Sequence, residues 1–251
     1  SSDNIDEQTG DNGDYGFQWK AVSDYRWLPE NIFIYSRWYD CYAGIFRANT
    51  FLQKVPAIVM DETLKKQYLA EATFLRALYY WNLVITFGDV PLVNKVLTQS
   101  EYRKLARTPI ADVYKQILAD LGDASKLLPA KAALKGRATQ GAALSLLGKV
   151  YLTQKNYAAA STTLKQVTSL GYALNATYKD NFDPAKKNGV ESIFEVQYQG
   201  GNDLGEQSNF MYVFAPRLSA GAVTGFANTT PSGRNIPTRD MINAYEAGDL
   251  R

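Results

Sequence analysis

The sequence predicts a mainly α-helical protein, in which tetratricopeptide-like helix pairs form an α-solenoid that precedes an irregular, loop-rich part with short strands. Apolar residues recur at helical spacing over long stretches in the middle of the chain. One of these stretches carries a tetratricopeptide-like pattern, which is typical of helix pairs that stack on one another. Past Gly171 the helical spacing fades, and Gly, Asn and Ser become frequent, which indicates loops.

The composition is that of a folded protein with an excess of aromatic residues. The chain has 251 residues, of which 46% are hydrophobic and 21% are charged. A formal net charge of only +2 gives no support for a nucleic-acid or acidic-membrane partner. The chain contains 17 Tyr, 11 Phe and 4 Trp. Such an excess either fills a Tyr-rich core or forms a surface that binds something flat and partly apolar.

The absence of histidine excludes several kinds of site at once. Without imidazole the chain has no His-based triad, no imidazole general base and no His-ligated metal. Cys41 is the only cysteine, so no disulfide or cysteine–metal cluster can form within the chain. No apolar run reaches membrane-spanning length. The composition therefore excludes catalysis and metal binding that depend on His or on a Cys cluster, and we expect no metal and no cofactor.

The first thirty residues are polar and glycine-containing, and they show neither a helical nor a strand period. They nevertheless carry five aromatic residues: Tyr15, Phe17, Trp19, Tyr25 and Trp27. A disordered leader is poor in aromatic residues, so we interpret this region as an ordered loop packed on the helical body. Its rings either pin the loop or contact a ligand.

A helix is predicted from Asn31 to Val55, and Pro56 ends it. Its core stripe consists of Trp38, Tyr42, Ile45, Asn49 and Leu52. Because a buried amide must find hydrogen-bond partners, we expect Asn49 to tie down a neighbouring loop. Cys41 flanks this stripe and is expected to be a small buried hydrophobe rather than a reactive thiol.

The most apolar segment, Glu71 to Pro91, is predicted to be a helix buried between other helices. Its inward face is predicted to contain Ala72, Leu75, Tyr79 and Asn82, widened by Leu78 and Trp81. Residues 64–70 supply a solvated start. Gly88 is expected to end the helix in a left-handed conformation, since Pro91 prevents its continuation.

Three further helices are predicted after an irregular crossing that follows Pro91. Thr108 and Pro109 are expected to open the first as its cap and its N1 proline, and Pro129 closes it. The other two are predicted over residues 138–154 and 157–170.

The last two of these helices carry the tetratricopeptide-like pattern. It consists of Leu147-Gly148-Lys149-Val150-Tyr151 on the first helix and Tyr157, Ala160, Leu164 and Val167 on the second. We expect Gly148 to let the two helices approach closely, Tyr151 to fill the gap and Ala160 to provide the matching space. An earlier, degenerate copy pairs Ala77 and Tyr80 with the helix that follows the crossing.

The last part of the chain is predicted to be less regular. Residues 192–198 alternate between apolar and polar, which predicts a short strand. Residues 200–237 are predicted to be an elaborated loop region. Thr238 is expected to cap a short helix with Met241, Ile242 and Tyr245 facing inward.

These patterns divide the chain into three regions. They are an aromatic-containing loop at residues 1–30, a helical region at 31–185 and the start of an irregular part at 186–251. Because this last part is unfinished, we expect the chain to be a fragment.

At this point the residues resemble a known family. The segments are, in order, the Trp38 to Asn49 stripe, AEATFLRALYYWNLVITFGDVPLV, VYKQILADLGDASKLLP, LLGKVYLTQKNYAAA with LKQVTSLGYAL, ESIFEVQY and AYEAGDLR. Their order and spacing resemble the SusD/RagB family of outer-membrane nutrient-binding lipoproteins of Bacteroidetes. The resemblance implies a C-terminal portion and a lipidated N-terminal cysteine, and both are absent from this chain.

The resemblance implies binding without chemistry. It implies a cell-surface, outer-membrane lipoprotein that binds an oligosaccharide or polysaccharide and passes it to a TonB-dependent, SusC-like transporter. The alternative within the family is a RagB-type member that binds peptides. A tetratricopeptide scaffold for protein partners is a third possibility. No nucleic acid is expected as a partner.

A glycan site needs exposed rings for the sugar faces and fixed polar groups for the hydroxyls. The candidate ligand-binding residues are Trp19, Asp24, Tyr25, Arg26, Trp27 and, in a second loop, Phe210. We expect Arg26 to form a local ion pair as well.

A glycosidase would need a pair of carboxylates, and Glu191 and Glu195 come nearest to this requirement. On a strand they would lie about 13 Å apart along the chain, which is too far for a retaining glycosidase. We interpret them as solvated carboxylates at a strand edge.

Overall fold

The computed structural model describes residues 5–6, 14–199, 208, 213–215 and 236–248. The chain forms two compact units, one made of residues 1–36 and 198–251, and the other of residues 37–197. Over the described residues the protein is mainly helical, as predicted. In this described part no helix is long and apolar enough to cross a membrane.

The elements follow one another along the chain as helices with short irregular links. The α-helices are α1 (Asp14–Ser23), α2 (Ile32–Lys54), α3 (Glu62–Phe87), α4 (Gln99–Tyr102), α5 (Ile110–Leu127), α6 (Gln140–Thr153), α7 (Tyr157–Thr168) and α8 (Arg239–Asn243). Within the described ranges, 3₁₀ turns span Val55–Ala57, Tyr178–Phe182 and Pro184–Lys186. The short strands β1 (Ile5–Asp6) and β2 (Ile236–Pro237) pair antiparallel with Ile5 opposite Pro237.

The core of the larger unit lies between successive helices, because α3 packs on α5, α5 on α6 and α6 on α7. Its most buried side chains include Ala77, Tyr80, Leu83, Val113, Ile117, Leu121 and Val150. These helices give the tetratricopeptide-like architecture that the sequence predicts. The predicted helix over 71–91 is present as α3, with Asp61 capping its start through a 2.8 Å bond from the Leu64 amide.

The end of α3 is predicted correctly, and its inward face only in part. The helix ends at Phe87, and Gly88 follows with a φ of 69°. Of the predicted face, Ala72 and Trp81 are buried, Leu78 and Tyr79 pack at the edge of the core, and Leu75 is exposed. The other buried residues of the helix are Ala70, Phe74, Ala77, Tyr80, Leu83 and Val84. A helix that is apolar on nearly every side does not show in its sequence which side faces the core.

The predicted cap of α5 is also wrong. Pro109 occupies the cap position, and the Thr108 hydroxyl accepts a hydrogen bond from the Leu92 amide instead. The Asp89 carboxylate accepts from the Ile110 amide at 2.8 Å and so serves the start of the helix. The capping group therefore comes from a residue 21 positions earlier, which local sequence does not indicate.

Asn49 ties down the crossing after Pro91, as predicted. Its amide group donates to the Val93 carbonyl at 2.8 Å and accepts from Arg76 at 3.0 Å. Arg76 forms a two-pronged ion pair with buried Asp120, at 2.8 and 2.7 Å. The Tyr80 hydroxyl also holds the crossing, since it donates to the Val93 carbonyl and accepts from the Val93 amide. We refer to Asn49, Arg76 and Tyr80 together as the clamp.

The tetratricopeptide-like pair α6–α7 has the predicted close approach. A Cβ atom on Gly148 would lie 2.5 Å from the Leu164 side chain, so only glycine fits without movement. Ala160 is buried on the facing helix, and Tyr151 packs at the edge of the core. The Thr139 side chain caps α6 and Asn156 caps α7.

Three local predictions need correction. Residues 14–23 form helix α1 rather than part of a loop. Residues 192–198 form no strand, and Phe194 in this segment packs on Phe74 with ring centroids 5.3 Å apart. Thr238 does cap α8, but Ile242 and Tyr245 are exposed rather than inward-facing. Cys41 is buried, as predicted.

Candidate functional site

The candidate site begins at the end of α1, where the chain leaves the helix in a left-handed turn. The Arg26 amide donates to the Ala21 carbonyl at 2.8 Å, and the Tyr25 amide donates to Val22 at 3.3 Å. This pair of bonds is the Schellman arrangement, which requires a left-handed residue just after the helix. Tyr25 fills that position with a φ of 56°. Glycine is the usual residue there, so a tyrosine is conformationally strained.

Trp19 lies on the inner side of this segment. Its ring packs on Phe33 with centroids 4.0 Å apart and an interplanar angle of 38°. The side-chain amide of Asn31 donates to the Gln18 carbonyl at 2.9 Å and ties α1 to the start of α2. Trp19 therefore contributes to local packing, which is one of the two roles the sequence left open for it.

Tyr25 and Trp27 lie on the outer side. Tyr25 is 65% exposed and Trp27 is 44% exposed. Their ring centroids are 5.8 Å apart with an interplanar angle of 49°. Two neighbouring rings with this much exposed face form an apolar surface that suits a flat, partly apolar ligand.

Charged groups are fixed beside these rings. Arg26 forms the predicted ion pair with Asp24, and Lys20 donates to the same carboxylate at 3.1 Å. The hydrogen bond from Arg26, followed by that from Lys20, lowers the pKa of Asp24 below its ordinary value. Asp24 is thus an ionised acceptor at neutral pH, and Arg26 adds a set of donors in a fixed plane.

Five of the six predicted site residues therefore lie together on one short segment. Phe210 lies outside the described residues, as does most of its loop. The predictions from sequence missed two other exposed rings in the larger unit, Tyr178 and Phe182, of which Phe182 lines a cavity. A signal for them was present, because two aromatic residues four positions apart stand among Asp and Asn residues in YKDNFDPAKKN.

The carboxylates considered for catalysis have structural partners. Glu191 accepts from the Asn175 amide at 2.9 Å, and Glu195 accepts from the Asn188 amide at 3.3 Å. Each therefore holds a main-chain loop in place. Among the described residues no group of three or more His, Cys, Asp or Glu side chains is placed to hold a metal ion.

The chain matches a family model described as "SusD-like_3: Starch-binding associating with outer membrane", over residues 3–152. A curated relative, SusD-like protein P2 of Formosa agariphila, is 29% identical over 197 residues. That alignment covers 76% of this chain and 39% of the relative. The chain spans 36% to 42% of the lengths of the curated relatives that it matches.

Solved structures show the same fold. A laminarin-binding SusD-like protein is 31% identical and superposes with a TM-score of 0.85, over 95% of this chain and 56% of that one. A SusD superfamily protein from Parabacteroides distasonis is 30% identical with a TM-score of 0.82, over 98% of this chain and 52% of that one. Because the family model covers more than half of the sequence, this chain belongs to the SusD-like family.

Proposed function

We propose that this chain binds a glycan at the cell surface without catalysing its breakdown, and that it passes oligosaccharides to a SusC-like, TonB-dependent transporter in the outer membrane. The observation that carries the binding role is the exposed pair Tyr25 and Trp27 beside the ionised Asp24. The family description as starch-binding and associating with the outer membrane supports the proposed location at that membrane.

The chemistry of this surface suits a sugar. A pyranose ring has faces of weakly polar CH groups, which pack on aromatic rings, and a rim of hydroxyls. Asp24 can accept from hydroxyls and Arg26 can donate to them, in the paired manner that sugar recognition uses. Because each hydroxyl already bonds water, each exchanged hydrogen bond yields only about 0.5–1.5 kcal/mol, and we expect modest affinity.

The names of the relatives support an expectation about the ligand class. The solved protein that is 31% identical over nearly all of this chain is named as laminarin-binding. We therefore expect a β-glucan or a starch-like α-glucan before other polysaccharides. A peptide ligand, as in RagB-type members, is the alternative.

Native gels that contain laminarin or starch provide the test. Wild-type protein should migrate more slowly in at least one of them, and Tyr25→Ala/Trp27→Ala should lose this retardation. The matched control is Tyr157→Ala, because Tyr157 is 63% exposed but lies on α7 in the other unit. Trp19→Ala should destabilise the protein, since Trp19 packs on Phe33.

Two outcomes would contradict the proposal. Release of new reducing ends from either glycan would show catalysis. Retardation that persists unchanged in Tyr25→Ala/Trp27→Ala would place the site elsewhere. Binding of peptides on an array, with no retardation in any glycan gel, would favour the RagB-type alternative. Co-purification with a SusC-like barrel tests the transporter partner.

A further inference from the structure

A second pair of exposed rings lies in the larger unit, between α7 and the segment that contains Phe194. Tyr178 is 71% exposed and Phe182 is 69% exposed. They stand at the two ends of one 3₁₀ turn, with ring centroids 5.2 Å apart and an edge-on angle of 62°. Singly exposed apolar side chains are ordinary on protein surfaces, but a ring pair next to a cavity is not.

Phe182 borders a cavity of about 270 Å³. The cavity is slightly smaller than the usual range for drug-sized ligands, which suits one sugar ring better than a larger ligand. Its polar lining residues include Asn175, Asp180, Asn181, Asp183, Lys186 and Glu191. Amide and carboxylate groups around one apolar ring are the combination that a sugar needs.

The polar groups of this cavity hold one another in position. The side-chain amide of Asn175 donates to the side-chain oxygen (Oδ1) of Asn181 at 2.7 Å. Lys186 donates to Asp180 at 2.7 Å, and Asp183 accepts from the Ala185 amide at 2.9 Å. Each carboxylate has a second oxygen, and the Asn181 amide also has two N–H donors. A ligand would thus meet groups that are already oriented, which reduces the ordering entropy of binding.

The charge of the lining favours an uncharged sugar. Four carboxylates line the cavity (Asp180, Asp183, Glu191 and Glu195), against two ammonium groups (Lys186 and Lys187). Because this balance is negative, an anionic sugar would be repelled, whereas hydroxyls can donate to the carboxylate oxygens.

A larger cavity lies next to this one, and the two share lining residues. A second cavity, of about 350 Å³, shares Gly189, Ser192 and Glu195 with the first. Tyr172 lies in its wall, and its hydroxyl is 3.2 Å from that of Thr139. A linear chain whose terminal sugar lies at Phe182 can therefore continue along the surface beside it.

We propose that the cavity bordered by Phe182 is a second carbohydrate subsite, separate from the Tyr25–Trp27 surface, which takes one neutral sugar residue on the Tyr178–Phe182 rings. This proposal rests on the glycan-binding function proposed above. Two subsites on one chain would let a polysaccharide be held at two places, which strengthens retention beyond either contact alone.

Substitutions at the Tyr25–Trp27 surface and at the cavity bordered by Phe182 distinguish the two sites. The use of polysaccharides and of free sugars as probes distinguishes this proposal from the proposed function. In gels that contain laminarin or starch, Tyr178→Ala/Phe182→Ala should reduce retention of the polysaccharide about threefold to tenfold, where tenfold corresponds to about 1.4 kcal/mol. The single substitution Phe182→Trp should instead keep wild-type retention, because an aromatic ring remains at this position. An unaltered helical circular dichroism spectrum and unfolding midpoint would show that the substitutions act on binding.

Saturation-transfer NMR with free glucose, galactose, mannose and xylose isolates the single-sugar subsite. Tyr25→Ala/Trp27→Ala should still transfer saturation to at least one of these sugars, and adding Tyr178→Ala/Phe182→Ala should abolish the transfer. Glucuronate should give none. Wild-type retention by Tyr178→Ala/Phe182→Ala, with transfer that persists when these substitutions are added to Tyr25→Ala/Trp27→Ala, would overturn the second subsite alone. Lack of any glycan retention by wild-type protein would instead overturn the function on which it rests.

Discussion

Tyr25 shows at the scale of one residue how binding and stability can oppose each other. It holds a left-handed conformation just after α1, which is unfavourable for a residue with a side chain by about 1–2 kcal/mol. Lys155 occupies the equivalent position after α6, with a φ of 60° and the same pair of hydrogen bonds. Strained residues that persist are often found at ligand sites. Tyr25 fits that description, because its strained backbone carries an exposed ring.

These two positions provide a matched pair of substitutions. Tyr25→Gly should raise the free energy of unfolding by about 1 kcal/mol, since glycine adopts the left-handed conformation without strain. The same change should weaken glycan retention, because the ring is lost. Lys155→Gly should give a similar stabilisation with unchanged retention. Urea unfolding and glycan-containing gels measure the two effects.

The idea that Tyr25 is kept for its ring fails if both glycine variants retain glycan equally. It fails also if Tyr25→Gly is destabilising, since the residue would then be held by packing rather than by binding. The left-handed conformation itself was not predictable from sequence, because a non-glycine residue adopts it only when the surrounding structure requires it. Asn49 was predictable, since an amide within an apolar stripe must bond to something.

At the scale of helices, the sequence predicts where a helix ends better than it predicts which side of the helix is buried. Gly88 marks the end of α3 because it is a local signal, and Pro56 marks the end of α2 in the same way. The inward face of α3 depends on which neighbours surround it, and its own residues are apolar on most sides. The α1 helix escaped prediction because its apolar residues show no helical period, which is consistent with a helix that is stabilised by its contacts.

Glycines in two helices have opposite roles that substitution would reveal. A Cβ on Gly148 would clash with Leu164 at 2.5 Å, whereas a Cβ on Gly122 in α5 would meet nothing within 4 Å. Gly148→Ala should therefore destabilise the protein by about 1–3 kcal/mol. Gly122→Ala should stabilise it by up to about 1 kcal/mol through helix propensity.

Thermal and urea unfolding measure both changes. Gly148→Ala/Leu164→Ala should recover part of the loss if the clash is its cause, since the shortened side chain leaves room for the new methyl group. Equal effects of the two alanine variants would show that α6 and α7 leave room for a methyl group at position 148.

At the scale of the whole molecule, the response to pH follows from the lack of histidine and from buried tyrosines. Without imidazole, stability should change by less than about 1 kcal/mol between pH 5.5 and 8. Burial raises the pKa of Tyr80 and of Tyr42 above their ordinary value of 10.0. Both hydroxyls are protonated in the folded and unfolded states below pH 10, so they contribute no slope there.

Above pH 10 the unfolded chain loses tyrosine protons that the folded protein keeps, so stability should fall as pH rises. Fully buried Tyr80 alone contributes at most about 1.4 kcal/mol per pH unit. Guanidinium unfolding at pH 8, 10 and 11 measures this slope. Tyr80→Phe should lower stability at pH 8, because its bonds to Val93 are lost, and should flatten the alkaline slope. Tyr157→Phe should keep the wild-type slope.

The clamp on the crossing after α3 has a consequence for how this protein can diversify. Asn49 and Tyr80 engage Val93 only through its peptide carbonyl and amide, and Arg76 reaches the Asn94 carbonyl at 3.4 Å. A grip on the polypeptide backbone does not discriminate among side chains. The exposed residues Asn94 and Lys95 of this crossing can therefore be exchanged for others while the helices keep their arrangement, whereas Val93 also has a buried side chain. The scaffold would in this way tolerate new surface chemistry without being rebuilt.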